Sequence, residues 1–81
     1  MEISYDKKYN IAYVNIQEKI SKVQTITLSD EVNIDISPVC KLYGIELLNA
    51  NNQLKPTDNE LVFKDTVTGK KTRIPIGISL L

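Results

Sequence analysis

The chain has 81 residues in which ten basic and ten acidic side chains cancel, so it has room for one domain with a modest core and lacks the charge of a general polyanion binder. It has no histidine, which removes the commonest general base near neutral pH and the commonest zinc ligand. Its single cysteine excludes an internal disulfide.

Met1 to Tyr5 alternates, with Met1, Ile3 and Tyr5 set against Glu2 and Ser4. A period of two is the pattern of a strand with one buried face. Asp6 to Asn10 is a polar reversal whose Asp and Asn can bond their own backbone. Ile11 to Ile16 alternates again and completes a hairpin. Over Gln17 to Lys22 the spacing of Ile16, Ile20 and Val23 admits one helical turn, but Ser21 and the β-branched run that follows favour a loop. Val23 to Leu28 is strand-like, and Ser29-Asp30-Glu31 turns the chain.

The stretch from Val32 to Ala50 organises the rest. Val32, Ile34 and Ile36 alternate with Asn33 and Asp35. Ser37-Pro38-Val39-Cys40-Lys41 then breaks the pattern, since proline suits a turn and not a paired strand. Alternation resumes with Tyr43, Ile45 and Leu47 on one face and Leu42, Gly44, Glu46 and Leu48 on the other. The two strands read as an antiparallel hairpin. Gly44 within a strand marks a bulge or the close approach of another element.

Residues 51–60 are polar, contain Pro56, and read as a loop. From residue 61 to 81 the chain reads as a hairpin extension: Leu61-Val62-Phe63 begins a strand, Thr68-Gly69-Lys70 is the tip, and Thr72 to Ile76 returns. Pro75 places the returning strand at an edge or ends it. The sum is an all-β chain, a small antiparallel meander of six to seven strands built from hairpins, with residues 1–50 as its core.

No motif supplies catalytic chemistry. The three glycines are isolated, so no phosphate loop forms, and Cys40 has no histidine to activate it and reads as a small, partly buried apolar residue. Asp35 and Glu46 share the outer face and are the only acid pair worth weighing for hydrolysis, although outward acids usually solubilise. The reading is of a non-enzyme with no cofactor and no metal. No run approaches the ~20 apolar residues of a membrane span, and nothing resembles a signal peptide, so a soluble cytoplasmic protein is expected.

What remains is binding. The outer face around Leu42, Gly44, Glu46 and Leu48, together with the apolar Ile78, Leu80 and Leu81, is the expected contact surface for another protein or a second copy. The alternative is nucleic-acid binding through Lys64, Lys70, Lys71 and Arg73 on the C-terminal hairpin. The four tyrosines, Tyr5, Tyr9, Tyr13 and Tyr43, read as ordinary packing residues rather than a binding patch.

Ile3-Ser4-Tyr5-Asp6, Ile11-Ala12-Tyr13-Val14, Val32-Asn33-Ile34-Asp35 and Leu42-Tyr43-Gly44-Ile45-Glu46-Leu47-Leu48 together resemble the domain-of-unknown-function family 2283, small prokaryotic proteins. The resemblance covers roughly residues 3–50 and implies a compact, mostly antiparallel sheet. It brings no activity or catalytic residue. Some members resemble partners in toxin–antitoxin-like gene pairs, which implies protein binding. Ser37-Pro38-Val39-Cys40 departs from the family's acidic, glycine-containing turn, and the last 30 residues lie outside it.

Overall fold

The computed structural model describes residues 1–54 and 60–75. Among these residues seven strands form: β1 (Glu2–Asp6), β2 (Ile11–Asn15), β3 (Gln24–Ser29), β4 (Val32–Ile36), β5 (Leu42–Leu48), β6 (Glu60–Lys64) and β7 (Lys71–Pro75). One helical turn, α1 (Ala50–Gln53), follows β5. The first five strands make one sheet in the order β1-β2-β5-β4-β3, and among the described residues β6 and β7 pair only with each other. Every pairing is antiparallel.

Each hairpin follows from its turn chemistry. In β1–β2, Asp6 Oδ1 accepts from the backbone N–H of Lys8 (2.9 Å) and Tyr9 (3.1 Å), and Asn10 closes the turn at φ 57°. The β6–β7 tip repeats the device: Asp65 Oδ1 accepts from Val67 (2.9 Å) and Thr68 (3.3 Å), and Gly69 takes φ 77°. These backbone bonds, Val67 first, hold the Asp65 carboxyl below its ordinary range. Between β4 and β5, Cys40 N–H donates to Ser37 O (2.9 Å) and Ser37 N–H to Lys41 O (2.8 Å), with Pro38 supplying the fixed φ of the turn. Cys40 is exposed at φ 63°. That corrects the partly buried reading, because this hairpin needs a left-handed residue at its fourth position and the chain supplies cysteine there.

Within the five-stranded sheet, consecutive strands pair except β2 and β3. Their connection crosses the beginning of β5, where Ile16 N–H donates to Tyr43 O (2.8 Å) and Gln17 Nε2 to Leu42 O (2.8 Å). It forms no helical turn. The helical turn lies instead at Ala50–Gln53, overlapping the start of the stretch 51–60 read as polar loop. Asn10 draws it in: Ala50 N–H donates to Asn10 O (2.9 Å), Asn51 N–H to Asn10 Oδ1 (3.0 Å), and Asn10 Nδ2 to Asn51 Oδ1 (2.7 Å). Tyr5 adds a bond to the same Asn10 Oδ1 (3.1 Å).

The register divides the five-stranded sheet into two faces. One carries Ile3 and Tyr5, Ala12 and Val14, Ile45 and Leu47, Val32 and Ile34, and Ile26. The other carries Ser4, Tyr13, Asn15, Gly44, Glu46, Asn33, Asp35, Thr25 and Thr27. Among the described residues the buried apolar core is only Ala12, Ile36, Tyr43 and Ala50. Most of the apolar face is therefore half-covered at best.

Candidate functional site

The polar face is built around Tyr13. β2 and β4 flank β5, so they lie two strand spacings apart, roughly 9–10 Å. Gly44 of β5 pairs with Asn15 on one side and Asp35 on the other. With no side chain at Gly44, the Tyr13 ring lies across β5, and its hydroxyl donates to Asp35 Oδ2 at 2.7 Å. A Cβ at Gly44 would fall 2.5 Å from Tyr13 Cζ and 2.9 Å from Cε1, well inside contact distance. An aromatic side chain covering a strand glycine on its neighbour is a recognised way to pin register. The pairing also shifts register between Asp35 and Ile36, so a bulge and a close approach coincide at this point.

Asp35 is saturated. Thr25 Oγ1 donates to Oδ1 at 2.7 Å, Tyr13 donates to Oδ2, and Lys19 Nζ stands 3.7 Å from Oδ2. The Thr25 bond, joined by Tyr13 and Lys19, holds the carboxyl below its ordinary value against the opposing effect of burial. Lys19 comes from the β2–β3 crossover and sits 4.6 Å from the centroid of the Tyr13 ring, a cation–π contact. Burial raises the Tyr13 hydroxyl pKa, with the Lys19 hydrogen bond opposing it. Lys19 is raised in turn, chiefly by its bond to Tyr13. The crossover is thus tied down on the polar face by Lys19 and near the start of β5 by Ser21 Oγ, 2.8 Å from Tyr43 Oη.

The residues proposed from the sequence separate here. Leu42, Gly44, Glu46 and Leu48 do share a face, with Gly44 beneath Tyr13 and Glu46 accepting from Asn33 Nδ2 at 2.9 Å. Leu42 and Leu48 are half-buried at opposite ends of β5. Ile78, Leu80 and Leu81 lie outside the described residues. Asp35 and Glu46 are on the same face, but a general acid needs a raised pKa and Asp35 is held low by three donors. Tyr13 is on the polar face, Tyr5 on the apolar face, Tyr43 is buried, and Tyr9 is exposed in a turn, so the four do not converge. Among the described residues no cluster of three or more His, Cys, Asp or Glu could hold a metal ion, and no helix is long and apolar enough to cross a membrane.

The basic residues fall on one hairpin. Lys64 pairs with Lys71 and Val62 with Arg73 on one face, while Leu61, Phe63 and Ile74 share the other. Arg73 Nη1 donates to Glu60 Oε2 at 3.1 Å. Sequence alternation did not single out Leu61, Phe63 and Ile74 as a surface, nor the apolar face of the five-stranded sheet. Their signal lies in exposure: Ile3 is 47 % exposed, Phe63 67 % and Ile74 47 %.

Fold and site together define a small antiparallel β protein whose polar face ties Tyr13 and Thr25 to Asp35 and Asn33 to Glu46, and whose apolar sheet face is half-buried around Ala12 and Tyr43. The chain belongs to the family described as Protein of unknown function (DUF2283), whose model matches residues 2–51. The match takes in all five strands of the large sheet and ends within α1, leaving the β6–β7 hairpin outside. No curated protein and no solved structure matches the chain.

Proposed function

We propose that this chain is a non-catalytic protein-binding module that works by pairing with, or occluding, a partner protein. The observation that carries this reading is the apolar face of the five-stranded sheet. Ile3 is exposed there, and Val14, Ile26, Ile34, Ile45 and Leu47 are only half-buried. Contiguous apolar surface of this kind usually marks a contact site in a folded protein. The binding surface is accordingly assigned to this face, opposite the one that carries Leu42, Gly44, Glu46 and Leu48. Covering a partner's working surface would suit an antitoxin-like role, and a free, exposed cysteine suits a reducing cytoplasm.

The test is capture with face-specific variants. Tagged wild-type protein and Leu48→Asp should both retain a stoichiometric partner, and Ile3→Asp should lose it while keeping its circular dichroism. Loss in Leu48→Asp with retention in Ile3→Asp would move the surface to the polar face.

A second reading has its own support. Lys64 and Lys71 lie directly opposite each other and are exposed, an arrangement that repels itself unless an anion relieves it. Nucleic-acid binding through Lys64, Lys70, Lys71 and Arg73 predicts salt-sensitive retardation that weakens when Lys70 and Lys71 become Gln. No retardation at low salt would end this reading.

A further inference from the structure

We propose that the partner is a second copy of this chain, and that the two copies exchange their C-terminal hairpins. The apolar side of β6–β7 from one copy seats on the apolar face of the five-stranded sheet of the other. This inference rests on the protein-binding reading and names its partner.

Three observations lead there. A two-stranded hairpin is marginal in water without a surface to pack on. This one has the face to pack: Leu61 and Ile74 are directly paired, Phe63 lies beside them, and all three are exposed at 38 %, 47 % and 67 %. Second, the apolar face of the five-stranded sheet is incompletely covered, with Ile3 exposed at its edge strand and Val14, Ile45 and Ile34 half-buried across its middle. Among the described residues of one chain, the hairpin's apolar side stays exposed and the sheet's stays half-buried. Each has the chemistry and period-two spacing to fill the other, as facing sheets do.

Charge is the third observation. Residues 1–54 carry five lysines against seven acids, and residues 60–75 carry four bases against two acids. The sheet is therefore acidic by two and the hairpin basic by two, although the whole chain is neutral. Like parts of two copies repel and unlike parts attract, which steers the hairpin of one toward the sheet of the other. Two such contacts related by a two-fold axis close the assembly as a dimer. In that arrangement the apolar side of the hairpin faces the partner sheet, and Lys64, Lys71 and Arg73 face solvent.

The experiment is sedimentation equilibrium on the full chain across a hundredfold concentration range, with circular dichroism on each sample. Wild type should sediment as a dimer of about 18 kDa, twice the 9.2 kDa chain. Phe63→Asp on the hairpin and Ile3→Asp on the sheet should each be monomeric. Val62→Asp, on the opposite side of the hairpin, should remain dimeric. Mixing Ile3→Asp with Phe63→Asp should restore part of the dimer, because the mixed pair keeps one contact made of two intact faces. Should Phe63→Asp lose its sheet signal, Ile3→Asp alone decides whether the dimer depends on these faces.

A dimer that ignores Phe63→Asp, or variants that fail to complement on mixing, would overturn hairpin exchange. A monomeric wild type that binds an apolar dye, and loses that dye with Ile3→Asp, would overturn self-pairing while leaving the protein-binding reading intact. A monomeric wild type that binds no dye would overturn both.

Discussion

Gly44→Ala tests the polar face most sharply. The added methyl enters the space of the Tyr13 ring, so the ring must swing away from β5. Swinging it breaks the hydroxyl bond to Asp35 and the contact with Lys19. A hydrogen bond to a charged acceptor contributes about 1.5–3 kcal/mol, and a partly exposed cation–π contact about 0.5–1 kcal/mol. Against that, alanine is favoured over glycine in a strand by roughly 0.5–1 kcal/mol. The net cost is about 1–3.5 kcal/mol. The assay is urea denaturation of a double-mutant cycle at fixed protein concentration. In a Tyr13→Ala background the same Gly44→Ala change should be neutral or stabilising by about 0.5–1 kcal/mol. An equal cost in both backgrounds would show that the glycine is needed for some reason other than the ring. A neutral Gly44→Ala in the wild-type background would show that Tyr13 does not hold its place over β5.

Other perturbations follow from the same geometry. Cys40→Gly should stabilise by about 0.5–1 kcal/mol, because a left-handed non-glycine residue costs about 1–2 kcal/mol and the entropy glycine adds to the unfolded chain returns part of that; thermal denaturation reads it, and a loss of stability would refute it. Asn10→Ala should cost about 2–4 kcal/mol by straining φ and removing the bonds to Tyr5 and Asn51, with Asn10→Gly costing less because it restores only the backbone. Asp35 titrates lower in the folded chain than in the unfolded one, so its contribution is present above the ordinary carboxylate pKa and lost as pH falls through the folded value. Acid titration of stability should therefore be shallower in Asp35→Asn than in wild type. Tyr13 is shifted upward, so its contribution is present below pH 10 and lost as pH rises through the folded value, an alkaline loss that Tyr13→Phe should remove.

The strands were legible because each half-buried segment alternates with period two, from Ile3 and Tyr5 to Tyr43, Ile45 and Leu47. The turns were legible because Asp6, Pro38 and Gly69 each have a specific turn chemistry. The anomaly at Gly44 was legible too, as a glycine in a strand. Its occupant was not, because Tyr13 lies 31 residues upstream and only the β2–β5 register brings it there. The helical turn at Ala50 was hidden for a related reason. Asn49 to Asn52 has little helical propensity, and the turn forms because Asn10 supplies partners for its first N–H groups. Local pattern also could not say which face of the sheet lacks a cover. Leu42 and Leu48 look like misplaced apolar residues in the sequence, yet they are half-buried at the ends of a face on which Tyr13 bonds Asp35 and Asn33 bonds Glu46. The side that alternation assigns to the core is buried at Ala12 and Tyr43 and only half-buried at Val14, Ile45 and Leu47.

The most direct test of the account is which side of the sheet becomes sheltered on association. Methyl NMR of wild type and of Ile3→Asp with a soluble paramagnetic probe measures it residue by residue. The Val14, Ile34, Ile45 and Leu47 methyls should be shielded from the probe in associated wild type and broadened in the variant, with Leu42 and Leu48 unchanged. Shielding that appears instead at Leu42 and Leu48, with Ile34 and Ile45 broadened throughout, would contradict it.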